Sequence, residues 1–250
     1  MDDVLIAIPT YNERQNIGLL CDQIVSILPS CHIVVLDDSS PDGTGEIVRE
    51  MARLNPRISL YLRNQKLGIG SAHKDAFRQA IVRKANVLVT LDADLTHNPA
   101  DIPRLLIALQ SADVALGSRF MEGGSLQNWS WIRRAITHCG HFMTKFLLQV
   151  SFDATGALRA YRINNWSADF LKAPLHDGYP FLYQSLTWLV RNGAQIAEIP
   201  VVLNERVYGS SKMRPRDIVS GIIGLCRFSL THRASFRNHR TAISREDNRN

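Results

Sequence analysis

Short apolar runs rich in β-branched residues alternate, over the first 120 residues, with longer segments whose apolar positions recur every three or four residues. The runs Val4–Ile8, His32–Leu36, Ile58–Leu62, Val87–Leu91 and Val114–Leu116 predict strands. The segments near Gln15–Leu28, Thr44–Leu54, Gly70–Lys84 and Ala100–Gln110 predict the helical crossovers that parallel strands require. Repetition of this kind specifies an α/β fold on a mostly parallel sheet. Beyond residue 120 the alternation loosens into a long helix, a strand over Gly156–Arg162, helices around Asn164–Leu171 and Phe181–Arg191, a strand near Gln195–Val201 and a last helix from about Arg216. No linker breaks the pattern, so a single domain is expected.

Ligands of open α/β sheets gather outside the carboxyl ends of the strands. Four polar clusters fall at those ends: Pro9-Thr10-Tyr11-Asn12-Glu13, Asp37-Asp38-Ser39-Ser40-Pro41-Asp42-Gly43, Asp92-Ala93-Asp94 and Gly117-Ser118-Arg119. Singly, Asn12, Ser40 or Asp42 reads as a helix cap or turn residue. Four such clusters on one rim read as a site.

Composition narrows the picture. At 45% hydrophobic and 21% charged the 250 residues are those of a globular chain, with no repeat and no low-complexity tract. The net charge of +6 is mostly a tail: six Arg from Arg227 to Asn250 face only Glu246 and Asp247. That tail reads as a solvated terminus or as a contact to an anionic surface; nucleic acid is not the expected partner. Cys21, Cys31, Cys139 and Cys226 form no paired motif, which suits a reducing compartment. No signal-peptide pattern follows Met1, and no charge-free apolar stretch approaches the roughly 18–20 residues that cross a bilayer. A soluble or peripheral protein is expected.

Asp92 and Asp94 leave the end of an apolar strand within reach of one cation. Hard oxygen ligands suit Mg2+ or Mn2+, an ion that keeps waters and takes further ligands from a substrate diphosphate. There it would stabilise a departing nucleoside diphosphate as a Lewis acid. Arg119 and Arg206 are candidates for bidentate phosphate contact. A dinucleotide cofactor fits poorly, because Gly68-Ile69-Gly70-Ser71-Ala72-His73 lacks the third glycine and lies outside the first strand–helix turn. Neither a GxxxxGK[ST] loop nor a nucleophile-elbow serine is present.

These clusters, together with Lys66-Leu67-Gly68-Ile69-Gly70, Leu91-Asp92-Ala93-Asp94-Leu95-Thr96-His97-Asn98-Pro99, Gly117-Ser118-Arg119-Phe120 and Arg206-Val207-Tyr208-Gly209-Ser210-Ser211-Lys212, resemble in order the motifs of polyprenyl-phosphate mannosyltransferases. Those are dolichol-phosphate-mannose-synthase-like members of the family 2 glycosyltransferases. The resemblance implies a Rossmann-like GT-A domain over 4–213, followed at 214–250 by an amphipathic helix and basic tail. It implies inverting transfer of a hexose, usually mannose from GDP-mannose, to a polyprenyl phosphate. By the same resemblance Pro9, Tyr11, Glu13, Leu36 and Asp38 line the nucleoside pocket, and Asp92, Ala93 and Asp94 lie at the diphosphate and metal. Thr96 stands at a third metal-ligand position, where relatives often have Gln or Ser. Arg119, Arg206 and Lys212 would hold phosphates, and with Asp94 they form the expected catalytic set. The chain departs from the family at Leu158, where Phe is common, and at Phe181-Leu182-Tyr183-Gln184, which replaces a Phe-Gln-x-Glu pattern. That replacement loses an acid near the sugar or acceptor site and leaves the donor sugar open; the alternative reading is transfer of another sugar, such as glucose from a UDP-sugar, to polyprenyl phosphate.

A phosphate monoester, with a second pKa near ~6, is largely dianionic at neutral pH, so no strong general base is expected. The demand falls on offsetting the repulsion of two anions.

From Glu122 to Asp153 no acidic residue intervenes. Trp129, Ile132, Ile136, Cys139, Met143, Phe146 and Val150 form an apolar stripe at helical spacing, and Arg134, His138, His141 and Lys145 a basic one. Core packing alone would explain an apolar stripe. The absence of acid favours a helix in a membrane interface, with Trp129, Arg133 and Arg134 as membrane or acceptor contacts and Trp131 as a further anchor. The last helix and its Arg-rich tail would be a second contact. The expected location is peripheral, on the cytoplasmic face of a membrane, with room for a membrane-anchoring subunit.

Two rivals differ in class. Asp92-Ala93-Asp94-Leu95-Thr96 also matches the Asp-x-Asp-x-Thr of metal-dependent phosphohydrolases and phosphomutases, but that motif belongs after the first strand. A non-enzymatic adaptor on a degenerate transferase fold would not need Asp92, Asp94 and Arg119 intact.

Overall fold

The computed structural model describes residues 3–127, 129–164, 166–204, 206 and 221–231. Its elements run β1 (Val4–Thr10), α1 (Arg14–Ile27), β2 (His32–Asp37), α2 (Thr44–Leu54), β3 (Ile58–Leu62), α3 (Ile69–Val82), β4 (Val87–Thr90), α4 (Ile102–Ala108), β5 (Val114–Ser118), β6 (Ser125–Leu126), α5 (Trp131–Leu148), β7 (Arg159–Arg162), α6 (Trp166–Lys172), α7 (Phe181–Arg191), β8 (Ile196–Pro200) and β9 (Val202–Leu203). Residues 221–231 are helical.

Every residue of β1 is buried, as in a strand covered on both faces. Val4, Ile6 and Ile8 enter one apolar cluster, while Leu5 and Ala7 enter another. The two clusters are the halves of a core divided by the sheet. Ile17, Leu20 and Ile24 of α1, Val48 of α2 and Leu105 of α4 close the first half. Phe77 of α3, Phe170 of α6 and Phe181 and Leu186 of α7 close the second.

The seven-stranded sheet has the order β3-β2-β1-β4-β7-β5-β8. β1, β2, β3 and β4 are mutually parallel, as are β5 and β8. β7 runs against both neighbours, pairing Thr90 and Leu116 with Arg159. This strand is shorter than the expected Gly156–Arg162, and its reversed direction brings residues 153–158 to the same rim as the carboxyl ends of β4 and β5. The crossover expected over Ala100–Gln110 is a short α4 flanked by 3-10 turns at Pro99–Asp101 and Leu109–Ser111. Two-residue strands β6 and β9, too short to show a period, pair in parallel just past the carboxyl ends of β5 and β8.

Candidate active site

Strand order reverses direction between β1 and β4, so the crevice of the sheet opens where Tyr11 and Glu13 meet Asp92 and Asp94. Asp92 and Asp94 follow β4 in a turn whose Leu95 takes a left-handed φ of 60°. Asp94 is buried. Its Oδ1 accepts the Thr96 backbone N–H at 3.1 Å and the Thr96 hydroxyl at 2.7 Å, and its Oδ2 lies 2.8 Å from Nε of Arg206. Asp92 keeps 39% of its side chain open. Burial by the groups around it and the charge of Asp94 push its carboxyl up to about 7, against the pull of Arg206 and Arg119; Glu13 adds to the rise.

Carboxylates that repel one another in this way are relieved by a divalent cation. Two hard oxygen donors on one turn, with a guanidinium as the counter-charge of Asp94, fit Mg2+ or Mn2+. Among the described residues no three or more His, Cys, Asp or Glu gather as a metal cluster, so a cation here would complete its shell from water and substrate. The Thr96 hydroxyl donates to Asp94 and so orients that carboxylate. His97, buried with Nε2 4.0 Å from Asp92 Oδ2, has its imidazole pushed down to about 4 by burial, against the charge of Asp94, and is neutral at pH 7.

Arg119 is held differently from the expectation. Its Nε donates to Asp153 Oδ2 at 2.8 Å and its Nη2 to Asp153 Oδ1 at 2.7 Å and Thr155 Oγ1 at 2.5 Å. The forked edge is therefore committed to a buried carboxylate, and only the Nη1 corner can be offered to a phosphate. Burial alone would raise the Asp153 carboxyl, but the Arg119 guanidinium and backbone N–H donors hold it at about 2. The Asp153 backbone N–H in turn donates to Glu198 of β8 at 2.7 Å, whose own carboxyl is pushed up by burial.

In the loop after β2, Asp37 faces inward: it accepts from the Thr10 hydroxyl at 3.1 Å and the Ser40 backbone N–H at 3.0 Å. Asp42 accepts the first backbone N–H of α1, from Arg14, and that of Thr44, tying two loops together as a cap. Pro9, Leu36 and Ala93 are buried, so their backbone is what a ligand could meet. Tyr11 and Glu13 are half-buried, and Lys66 Nζ stands 4.0 Å from the Tyr11 ring centroid. Asp38 is bound to Arg63, a buried arginine just past β3. Sequence reasoning gave no role to Arg63, His97, Asp153 or Glu198. An arginine at a strand's carboxyl end opposite an acidic loop was the signal for Arg63. Lys212 and residues 207–211 of its motif lie outside the described residues, as does the helix start at Arg216.

The expected interface helix is α5, and its apolar stripe splits. Val150 is buried, and Met143 and Trp129 pack against the core. Ile132, Ile136, Cys139 and Phe146 are exposed, joined by Trp131 and Phe142, at 77% and 68%. Within α5 only Thr144 and Leu148 are buried, so this helix turns its apolar side outward. Arg134 donates through Nε and Nη2 to the Leu126 carbonyl, and Arg133 stacks 3.6 Å over the Trp129 ring. Residues 221–231 pack beside α5, with the Ser229 hydroxyl donating to Leu147 O and Leu225 in the core, and leave Ile222, Ile223 and Leu230 exposed. No helix among the described residues is long and apolar enough to cross a membrane.

Residues 5–165 match the family model described as Glycosyl transferase family 2. A polyprenol monophosphomannose synthase of Mycolicibacterium smegmatis is 37% identical over 233 residues, covering 92% of this chain and 88% of that protein. An undecaprenyl-phosphate mannosyltransferase of Micrococcus luteus is 35% identical over 231 residues, covering 92% and 95%. Among solved structures, the glucosyl-3-phosphoglycerate synthase of Mycobacterium tuberculosis, in complex with Mn2+, UDP and glucosyl-3-phosphoglycerate, superposes with a TM-score of 0.64 at 18% identity over 93% of this chain and 80% of that one. At that identity the likeness speaks for the fold.

Proposed function

The chain belongs to glycosyl transferase family 2, and we propose that this glycosyltransferase moves mannose from GDP-mannose to a polyprenyl phosphate, with inversion, at the cytoplasmic face of a membrane. The observation that carries the reading is the convergence of Asp92, Asp94 and Arg206 at the crevice, beside Arg119 anchored on Asp153. The names of the two relatives support the acceptor class and the sugar.

In this reading Asp92 and Asp94 hold Mg2+ or Mn2+, which supplies Lewis acidity to the donor diphosphate. Tyr11, Glu13 and Asp38 take the nucleoside. A phosphate oxygen of the acceptor attacks the anomeric carbon as the bond to the nucleoside diphosphate breaks, and the bond electrons leave with the diphosphate. Arg206 and the outer corner of Arg119, with Lys212, offset the two anions, while Asp153 and Thr155 keep Arg119 from following the ligand. The exposed apolar sides of α5 and 221–231 would lie in the interface and keep the polyprenyl tail in lipid. A membrane-anchoring subunit is compatible with the same surface.

The test is release of nucleoside diphosphate from GDP-mannose, UDP-glucose and related donors with a short polyprenyl phosphate present. GDP-mannose should be the preferred donor, and Asp94→Asn should cost several kcal/mol of transition-state stabilisation, about 100-fold or more in rate. Preference for UDP-glucose would correct the donor; an undiminished Asp94→Asn enzyme would overturn the metal site.

A further inference from the structure

Arg63 follows β3, and its backbone N–H donates to Asp37 O at 2.8 Å, which extends the β2–β3 ladder by one bond. Its side chain turns inward and is only 2% exposed. There the guanidinium meets Asp38 Oδ1 at 2.5 Å, the Ser71 hydroxyl at 2.6 Å and Asp75 Oδ2 at 3.0 Å. Ser71 and Asp75 belong to the first turns of α3, so one buried cation joins the loop after β2 to that helix. The backbone N–H groups of Leu67 and Gly68 lie on the side of Asp38 that lowers its carboxyl, in the loop that places Lys66 Nζ 4.0 Å from the Tyr11 ring centroid. Its neighbour Asp37 is spent inside the fold. The Asp38 backbone N–H donates to Thr10 O at 3.1 Å, which sets Asp38 next to the residue that precedes Tyr11.

We propose that Arg63 is a positioning residue of the nucleoside pocket: it holds Asp38 as a fixed hydrogen-bond acceptor beside Tyr11, and through it selects a base that bears a ring N–H. The proposal rests on the nucleotide-sugar reading above. An ionised carboxylate only accepts. Guanine at N1 and uracil at N3 present a ring N–H to it, whereas adenine at N1 and cytosine at N3 present a lone pair. Burial by itself pushes the Asp38 carboxyl up, and the Arg63 guanidinium opposes that rise. Without Arg63 the carboxyl would pick up a proton or turn away, and the acceptor would be lost.

The full chain, with Mn2+ present, is titrated with GDP, UDP, ADP and CDP by calorimetry. The wild type is expected to bind GDP or UDP about tenfold or more tightly than ADP and CDP. Arg63→Met should weaken the favoured nucleotide by about tenfold or more and leave ADP and CDP nearly unchanged, since a hydrogen bond to a charged group carries that much discrimination. In an Asp38→Asn background the same change should add little. Equal weakening of all four nucleotides, or full additivity with Asp38→Asn, would make Arg63 a plain staple between β3 and α3 and overturn the proposal. Should Arg63→Met fail to fold, Asp75→Asn loosens the guanidinium from the side away from Asp38, and unchanged selectivity in that variant overturns it as well. A wild type that binds none of the four would overturn the nucleotide-sugar reading, and this proposal with it.

Discussion

Arg206 Nε rests 2.8 Å from Asp94 Oδ2, an ion pair between the segment after β9 and the turn after β4. In the proposed reading, a divalent cation held by Asp94 would compete with this guanidinium for the carboxylate and would free Arg206 to meet an anionic substrate. The segment reaches Asp94 because the Asn204 backbone N–H donates to Thr96 O at 3.1 Å and the Trp129 indole N–H to Asn204 O at 3.3 Å.

Arg206→Gln should therefore tighten Mn2+ binding in the absence of nucleotide, by roughly fivefold for a partly exposed pair worth about 1 kcal/mol. The same variant should transfer sugar more slowly at saturating metal. Calorimetry with Mn2+ alone reads the first effect, and an unchanged dissociation constant would show that the ion pair does not guard the site.

Mn2+ affinity should rise with pH up to about 7 and then level off, because a cation at Asp92 must displace the proton that burial and Asp94 hold there. In EDTA the sign for stability is the reverse. A carboxyl whose folded value lies above its unfolded one binds more protons when folded, so melting temperature should fall as pH rises from ~4 toward 7. Proton release on metal binding, measured in buffers of different ionisation heat, should vanish in Asp92→Asn.

Asp153→Asn removes the partner of a guanidinium whose side chain is 10% exposed, and should cost about 3–5 kcal/mol of stability in denaturant unfolding. The depressed carboxyl also sets an acid limit. Its folded value near 2 lies below the unfolded one, so the stabilisation is complete above ~4 and is lost as pH falls through about 2, an effect of about 2 kcal/mol. Arg119→Lys keeps the charge but not the fork, and should lose both stability and transfer. A variant as stable as the wild type would mean that the pair contributes little.

Phe142→Ser and Phe146→Ser alter exposed positions, so stability should change by no more than about 0.5 kcal/mol. Co-sedimentation with anionic liposomes should drop in both, as should activity toward long-chain acceptors, while transfer to a short soluble polyprenyl phosphate is spared. Added salt should weaken the binding, and Lys145→Glu should do the same. Liposome binding that ignores these substitutions would move the contact away from α5.

Strand and helix periods, the carboxyl-end placement of Tyr11, Asp38, Asp92, Asp94 and Arg119, and the pairing of Asp92 with Asp94 were all legible along the chain. Each depends on neighbours a few residues apart, where alternation and turn chemistry act. The α2 and α7 boundaries agree residue for residue with Thr44–Leu54 and Phe181–Arg191 for the same reason. The direction of β7 was not legible, since a short apolar strand has the same period whichever way it runs, and on that direction rests the meeting of Arg119 with Asp153. Nor was it legible that Arg206 would sit on Asp94, or that Arg63 would join Asp38 to α3, because a guanidinium at the end of a long side chain is placed by whichever distant carboxylate the fold delivers. In α5 the sequence by itself determined an amphipathic helix. Only the tertiary structure decided that, among the described residues, Ile132, Ile136, Phe142 and Phe146 face outward while Met143 and Leu147 meet the core, because periodicity marks which residues share a face and packing alone settles what that face touches.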